Sequence, residues 1–163
     1  MVMQNSGLSQ EFLSGFKYEI GNRGFALIAV EKVSRRLAGT RENLFWSTYY
    51  ELEKFNQGRY EVAARMLGVD ISVGWGPKLK GHLVGNTPKF LLRVLVKYVY
   101  PQTVTYLKTL KNLQAIGPER AQQFLAYMVA QEEAQIEMMR LAMANKYEEI
   151  PILLTKMIKN YSS

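Results

Sequence analysis

The chain has 163 residues and a formal net charge of +7, with 48% apolar and 21% charged side chains, a composition suited to one folded domain with a real core. It has no cysteine and a single histidine, His82, which excludes disulfides, thiolate metal sites, cysteine nucleophiles and any site needing two histidines. No uninterrupted apolar run reaches the roughly 18 residues of a membrane span, and the N-terminal MVMQNSGLSQEF has no charged stretch followed by an apolar one, so a cytoplasmic protein without a secretory signal is expected.

Residues 10–38 predict a first helix, because Phe12, Phe16, Ala26, Val30, Val33 and Leu37 recur at three- and four-residue steps. Gly39 suits a helix end and Thr40 a new cap, so a second helix is expected over 41–67, stopping at Gly68. So short a connection between two long helices predicts an antiparallel hairpin. Residues 68–87, GVDISVGWGPKLKGHLVGNT, hold five glycines and a proline and read as a long crossover. Thr87-Pro88 starts a third helix over 88–115, kinked or broken near Pro101, where proline removes a backbone donor. Gly117-Pro118-Glu119 opens a fourth helix over 118–145, and a short fifth covers 147–160. No strand pattern is sustained. The reading is all-α, one domain over residues 1–163: two antiparallel hairpins, a long crossover and a short C-terminal helix, in the manner of a four-helix bundle.

The charge is unevenly placed. Residues 1–70 contribute +1 and residues 119–163 contribute −1, whereas 71–118 hold seven lysines and arginines and no acidic residue. Within that block, Lys89, Arg93, Lys97, Lys108 and Lys111 mark a basic face on an amphipathic helix that also carries Tyr98, Tyr100 and Tyr106. Such a face suits an anionic membrane surface, an acidic partner or, in principle, nucleic acid. A solvated face beside an acidic neighbouring helix accounts for the same residues, and no helix-turn-helix or RNA-binding signature accompanies them. The glycine-rich connection lacks phosphate-loop spacing and follows no strand, so its glycines are expected to serve turns and His82 to be an ordinary loop residue.

Helical spacing also brings carboxylates inward. Leu125, Val129, Glu132, Ile136, Met139 and Met143 form one seam, which turns Glu132 inward and leaves Glu133 and Glu137 beside it. The same reasoning places Glu51 on a seam with Leu44, Thr48 and Phe55, and Glu19 on one with Phe12, Phe16, Arg23 and Ala26. Buried carboxylates need partners.

With Glu19 preceding Glu51 by 32 residues, and with VAQEEAQIEMMRLA around Glu132, the chain resembles the ferritin-like superfamily, of the rubrerythrin and bacterioferritin type, over roughly residues 9–145. That resemblance implies a helical bundle whose hairpins each supply a glutamate and a Glu-x-x-His to two iron or manganese ions. Lys54 and Gln135 stand where it asks for histidines, and Tyr100 stands where it asks for the third-helix glutamate. The expectation is therefore that no metal or cofactor is held. Arg23 and Lys54 instead supply positive charge to Glu19, Glu51 and Glu132, in a polar cluster completed by Tyr100 and Gln135. The plain alternative makes Glu51–Lys54 and Glu19–Arg23 surface pairs at helical spacing. If metal is held, by di-iron or di-manganese in a divergent oxidoreductase, Glu19, Glu51 and Glu132 are its ligands. The preferred function is non-catalytic binding or interaction, as a homodimer, with Phe45, Trp46, Tyr49 and Tyr50 serving a core or a subunit contact.

Overall fold

Each long helix arises where apolar residues recur at helical period and ends where a backbone device stops it. A computed structural model describes residues 7–162; residues 1–6 of the N-terminal stretch read above lie outside the described residues. Among those described, there are α-helices and no strands. Helix α1 spans Gln10–Arg36, opened by Ser9, whose hydroxyl accepts from the Phe12 N–H at 3.1 Å. It buries Phe12, Phe16, Ile20, Ala26, Val30 and Val33. Helix α2 spans Asn43–Leu67 and ends at Gly68, whose φ of 67° is the left-handed cap that glycine tolerates.

The crossover differs from expectation. It contains a further helix, α3, spanning Trp75–Gly85. Two of its glycines serve close packing rather than turns: a Cβ on Gly81 would come within 2.9 Å of both the Phe25 carbonyl oxygen and Ile28 Cβ, and one on Gly85 within 2.9 Å of Lys32. Spaced four apart, Gly81 and Gly85 form a flat stripe along which α3 lies directly against α1. Two α1 side chains cover its C-terminal end, Arg36 donating to the Gly85 carbonyl at 2.7 Å and Lys32 to Asn86 Oδ1 at 3.2 Å. His82 lies in its last turn, exposed, not in a loop.

After a 3₁₀ turn, α4 spans Leu92–Ile116 and runs through Pro101 without a break. Pro101 is exposed, so the carbonyl it leaves without a donor can face water. A second 3₁₀ turn leads to α5, spanning Gln122–Met143, and α6 spans Glu149–Tyr161. Helix α1 packs against α2, α3 and α4; α5 packs against α2, α4 and α6; α2 also meets α6. The core lies between α1, α2, α4 and α5, and Ile150, Leu154 and Met157 of α6 extend it. Phe45, Trp46, Met138 and Met139 are core residues of this chain.

Candidate functional site

At mid-height the core turns polar. Glu19 and Arg23 are one turn apart on α1 and face α2 and α5. Arg23, with only 11% of its side chain exposed, reaches three carboxylates from three helices: its Nη1 lies 2.5 Å from Glu53 Oε1, its Nε 3.1 Å from Glu19 Oε1 and its Nη2 3.5 Å from Glu132 Oε2. The Nε–H is close to Glu19 without being aligned for a hydrogen bond, so that contact is an ion pair only.

The remaining lone pairs and donors are matched by neutral groups. Tyr60 of α2 and Tyr106 of α4 donate their hydroxyls to the two oxygens of Glu19, at 2.7 and 2.6 Å. Gln135 Nε2 donates to Gln131 Oε1 at 2.6 Å and to Glu53 Oε1 at 3.2 Å, while Gln135 Oε1 accepts from Tyr49 at 2.7 Å. Asn56 Nδ2 donates to Gln131 Oε1 at 3.0 Å, Gln131 Nε2 donates to Glu132 Oε2 at 3.2 Å, and the Tyr127 hydroxyl donates to Asn56. Four helices thus meet in one polar layer, made of two hydrogen-bonded sets that the Arg23–Glu19 ion pair joins. Buried polar groups are tolerable on that condition.

Charge within the layer is unbalanced. One guanidinium faces three carboxylates, which would leave a net −2 if all ionised. Burial acts against the Arg23 charge, but Glu53, Glu19 and Glu132 outweigh it and hold the guanidinium protonated well above the usual arginine value. Burial pushes the Glu53 carboxyl up to about 7 against the pull of Arg23 and a hydrogen bond from Asn56. Burial likewise pushes Glu132 up to about 7, with Arg23 opposing and Glu19 and Glu53 adding to the rise. Burial first, and then the Glu19 charge, raises Tyr60 and Tyr106 well above the usual phenol range, so both remain donors.

Of the expected cluster, the structure brings together Glu19, Arg23, Glu132 and Gln135, and leaves out Glu51, Lys54 and Tyr100. Glu51 is exposed; the inward carboxylate of α2 is Glu53, because the buried stripe runs Phe45, Leu52, Asn56, Tyr60, Ala63, Leu67. The seam through Leu44, Glu51 and Phe55 leads to Val62, which is exposed. Lys54 is exposed too, its ammonium 4.6 Å from the centre of the Tyr50 ring. Tyr100 is half-buried against the core and makes no side-chain hydrogen bond in the layer. The α4 residue that enters is Tyr106. Glu53, Asn56, Tyr60, Tyr127 and Gln131 were not anticipated; for α2 the available signal was the period of its aromatic and small residues, which points to Glu53 once Asn56 and Tyr60 are counted as inward.

All five cations of the basic face are exposed. Lys111 meets Glu133 at 3.2 Å and Arg93 lies 4.0 Å from Glu42. Lys89, Lys97 and Lys108 have no carboxylate within 4.0 Å among the described residues.

A groove of about 560 Å³ opens onto the layer between α1, α3 and α4. Arg23, Tyr49, Glu132 and Gln135 line its inner part, and Tyr18, Asn22, Lys80, Gln102 and Thr105 are among the residues nearer the surface. No family model, curated protein or solved structure matches the chain. The site therefore stands on its own chemistry.

That chemistry does not fit a pair of metal ions. The guanidinium occupies the space on which Glu19, Glu53 and Glu132 converge, and its fixed charge would repel a divalent cation there. Among the described residues no group of three or more His, Cys, Asp or Glu side chains is disposed to hold one. The arrangement can hold a cation of its own, store protons on Glu53 and Glu132 near neutrality, and present hydroxyl and amide groups to a molecule in the groove.

Proposed function

We propose that the chain is a ferritin-like bundle, with α1–α2 and α4–α5 as antiparallel hairpins joined by the α3 crossover. In this reading Arg23 takes the central place that metal takes in the proteins it resembles, and the protein works without redox catalysis, as a binding protein. The observation that carries the reading is the Arg23 guanidinium within 3.5 Å of all three buried carboxylates. The groove supports the binding role: about 560 Å³ is a usual size for a small-molecule site. Its Tyr18, Phe25 and Tyr106 rings, with Asn22, Gln102 and Thr105 among them, suit a small polar molecule carrying a flat ring.

Two measurements test this. Equilibrium dialysis of the wild type against Fe²⁺ and Mn²⁺ is expected to show no stoichiometric uptake, and ferrous oxidation in air is expected to proceed at the protein-free rate; two ions bound per chain would overturn the reading. Thermal-shift screening of small polar metabolites is expected to find ligands that stabilise the wild type and lose that effect in Thr105→Trp, which fills the groove from an exposed position on α4.

A further inference from the structure

We propose that α3 and the first turns of α4 form a docking face for the surface of a bilayer containing anionic lipid. On α3, Trp75, Leu79 and Leu83 follow one another at four-residue steps, so they share one side of the helix, and all three are exposed. Phe90, Val94 and Tyr98 repeat the spacing from the 3₁₀ turn into α4, and they too are exposed. Trp75 and Phe90 are the extremes, at 79% and 80%. Of the 13 large apolar side chains left exposed among the described residues, eight fall between Ile71 and Tyr98. Their concentration distinguishes them from singly scattered surface residues.

Cations stand among them. Lys78, Lys89 and Lys97 are exposed, and no carboxylate lies within 4.0 Å of any of them among the described residues. The segment 71–118 contains no acidic residue to neutralise them. The two helices flank the same element: both pack on α1, and Lys80 of α3 lines the same groove as Gln102 and Thr105 of α4.

Charge and apolar area together select the occupant. Anionic headgroups match the lysines, and the acyl boundary takes the side chains of Leu79, Leu83 and Val94, with Trp75 and Tyr98 suited to the interface between. A nucleic acid would engage the lysines but leave the aliphatic side chains in water. A symmetric second copy would bring like-charged faces together. The association is superficial, since no described helix is long and apolar enough to cross a membrane. None of the residues in the layer around Arg23 belongs to this face, so the two proposals stand or fall separately.

Liposome flotation of the full chain tests it, with vesicles of phosphatidylcholine alone and vesicles of equal parts phosphatidylcholine and phosphatidylglycerol. The protein is expected to float with the mixed vesicles at low salt, to be released by high salt, and to ignore pure phosphatidylcholine. Its tryptophan emission is expected to shift to the blue on binding and to lose that shift in Trp75→Phe, since Trp46 is only 7% exposed. Replacing Lys78, Lys89 and Lys97 by Gln is expected to weaken partitioning by about five-fold for each charge removed. Leu83→Ser with Phe90→Ser is expected to abolish flotation while leaving the helical circular dichroism and melting temperature unchanged, because both side chains are exposed. Failure to float with the mixed vesicles overturns the proposal. Flotation that survives Leu83→Ser with Phe90→Ser does so as well, as do duplex DNA outcompeting the mixed vesicles and a concentration-dependent dimer abolished by those two substitutions.

Discussion

Arg23 and the glutamates around it couple stability to pH in an unusual direction. Glu53 and Glu132 both have folded-state pKa values raised from 4.5 to about 7. The native state therefore binds more protons than the unfolded chain between those values, and the stability they contribute is full below about pH 4.5 and is lost as pH rises through about 7. For Glu53 alone the difference amounts to about 3 kcal/mol. Melting temperature is thus expected to fall between about pH 4.5 and above pH 7, and Glu53→Gln is expected to flatten that slope in parallel melts; an unchanged slope contradicts the assignment. Arg23→Met should show the same electrostatics from the other side. It leaves three buried carboxylates without a counter-charge, costing about 3–5 kcal/mol on the alkaline side, and less in acid, where Glu53 and Glu132 can take up protons. Urea unfolding at about pH 5 and about pH 8 separates the two conditions.

At the level of elements, α3 shows how a local sequence signal can carry the wrong meaning. Glycine and proline over 68–87 read as loop because glycine lowers helix propensity by about 1 kcal/mol relative to alanine. Packing reverses that preference: Gly81 and Gly85 let the backbone of α3 approach α1 at distances no Cβ would allow. Gly81→Val would drive a branched side chain against the Phe25 carbonyl oxygen and Ile28, and is expected to destabilise by about 1–3 kcal/mol. The damage should be local. Protease cleavage within 69–90 is expected to accelerate while the circular dichroism of the remaining helices persists; global unfolding at the same rate would contradict this attachment of α3. Helices α1, α2, α4 and α5 were legible because their apolar period is long and the breaks that separate them are explicit, at Gly39, Gly68 and Gly117-Pro118. Their rotation about their own axes was less legible. In α2 the polar residues Glu53 and Asn56 and the phenol of Tyr60 face inward, so a seam drawn through apolar residues at the same spacing selected Glu51 instead.

Across the whole molecule, the polar layer ties α1, α2, α4 and α5 together at one height, whereas α3 packs chiefly on α1. Opening any of those four helices breaks buried hydrogen bonds to the others, which argues for one cooperative unit. Native-state hydrogen exchange is expected to show their core amides sharing the highest protection, with α3 exchanging through a separate opening of lower free energy; equal protection for α3 would contradict it. Composition, helical periodicity and breakers were enough to determine an all-α chain, its four long helices and the cysteine-free chemistry, and to turn Glu19, Arg23 and Glu132 toward the core, because each follows from residue type and a local period; Gln135 entered only through the ferritin-like resemblance. Tertiary structure decided which carboxylate of α2 joins them, that Arg23 is their cation among the described residues while Lys54 lies on a tyrosine outside, and that the crossover folds against α1. Those outcomes depend on how one helix is turned against another, and that is set by the packing of side chains far apart in sequence.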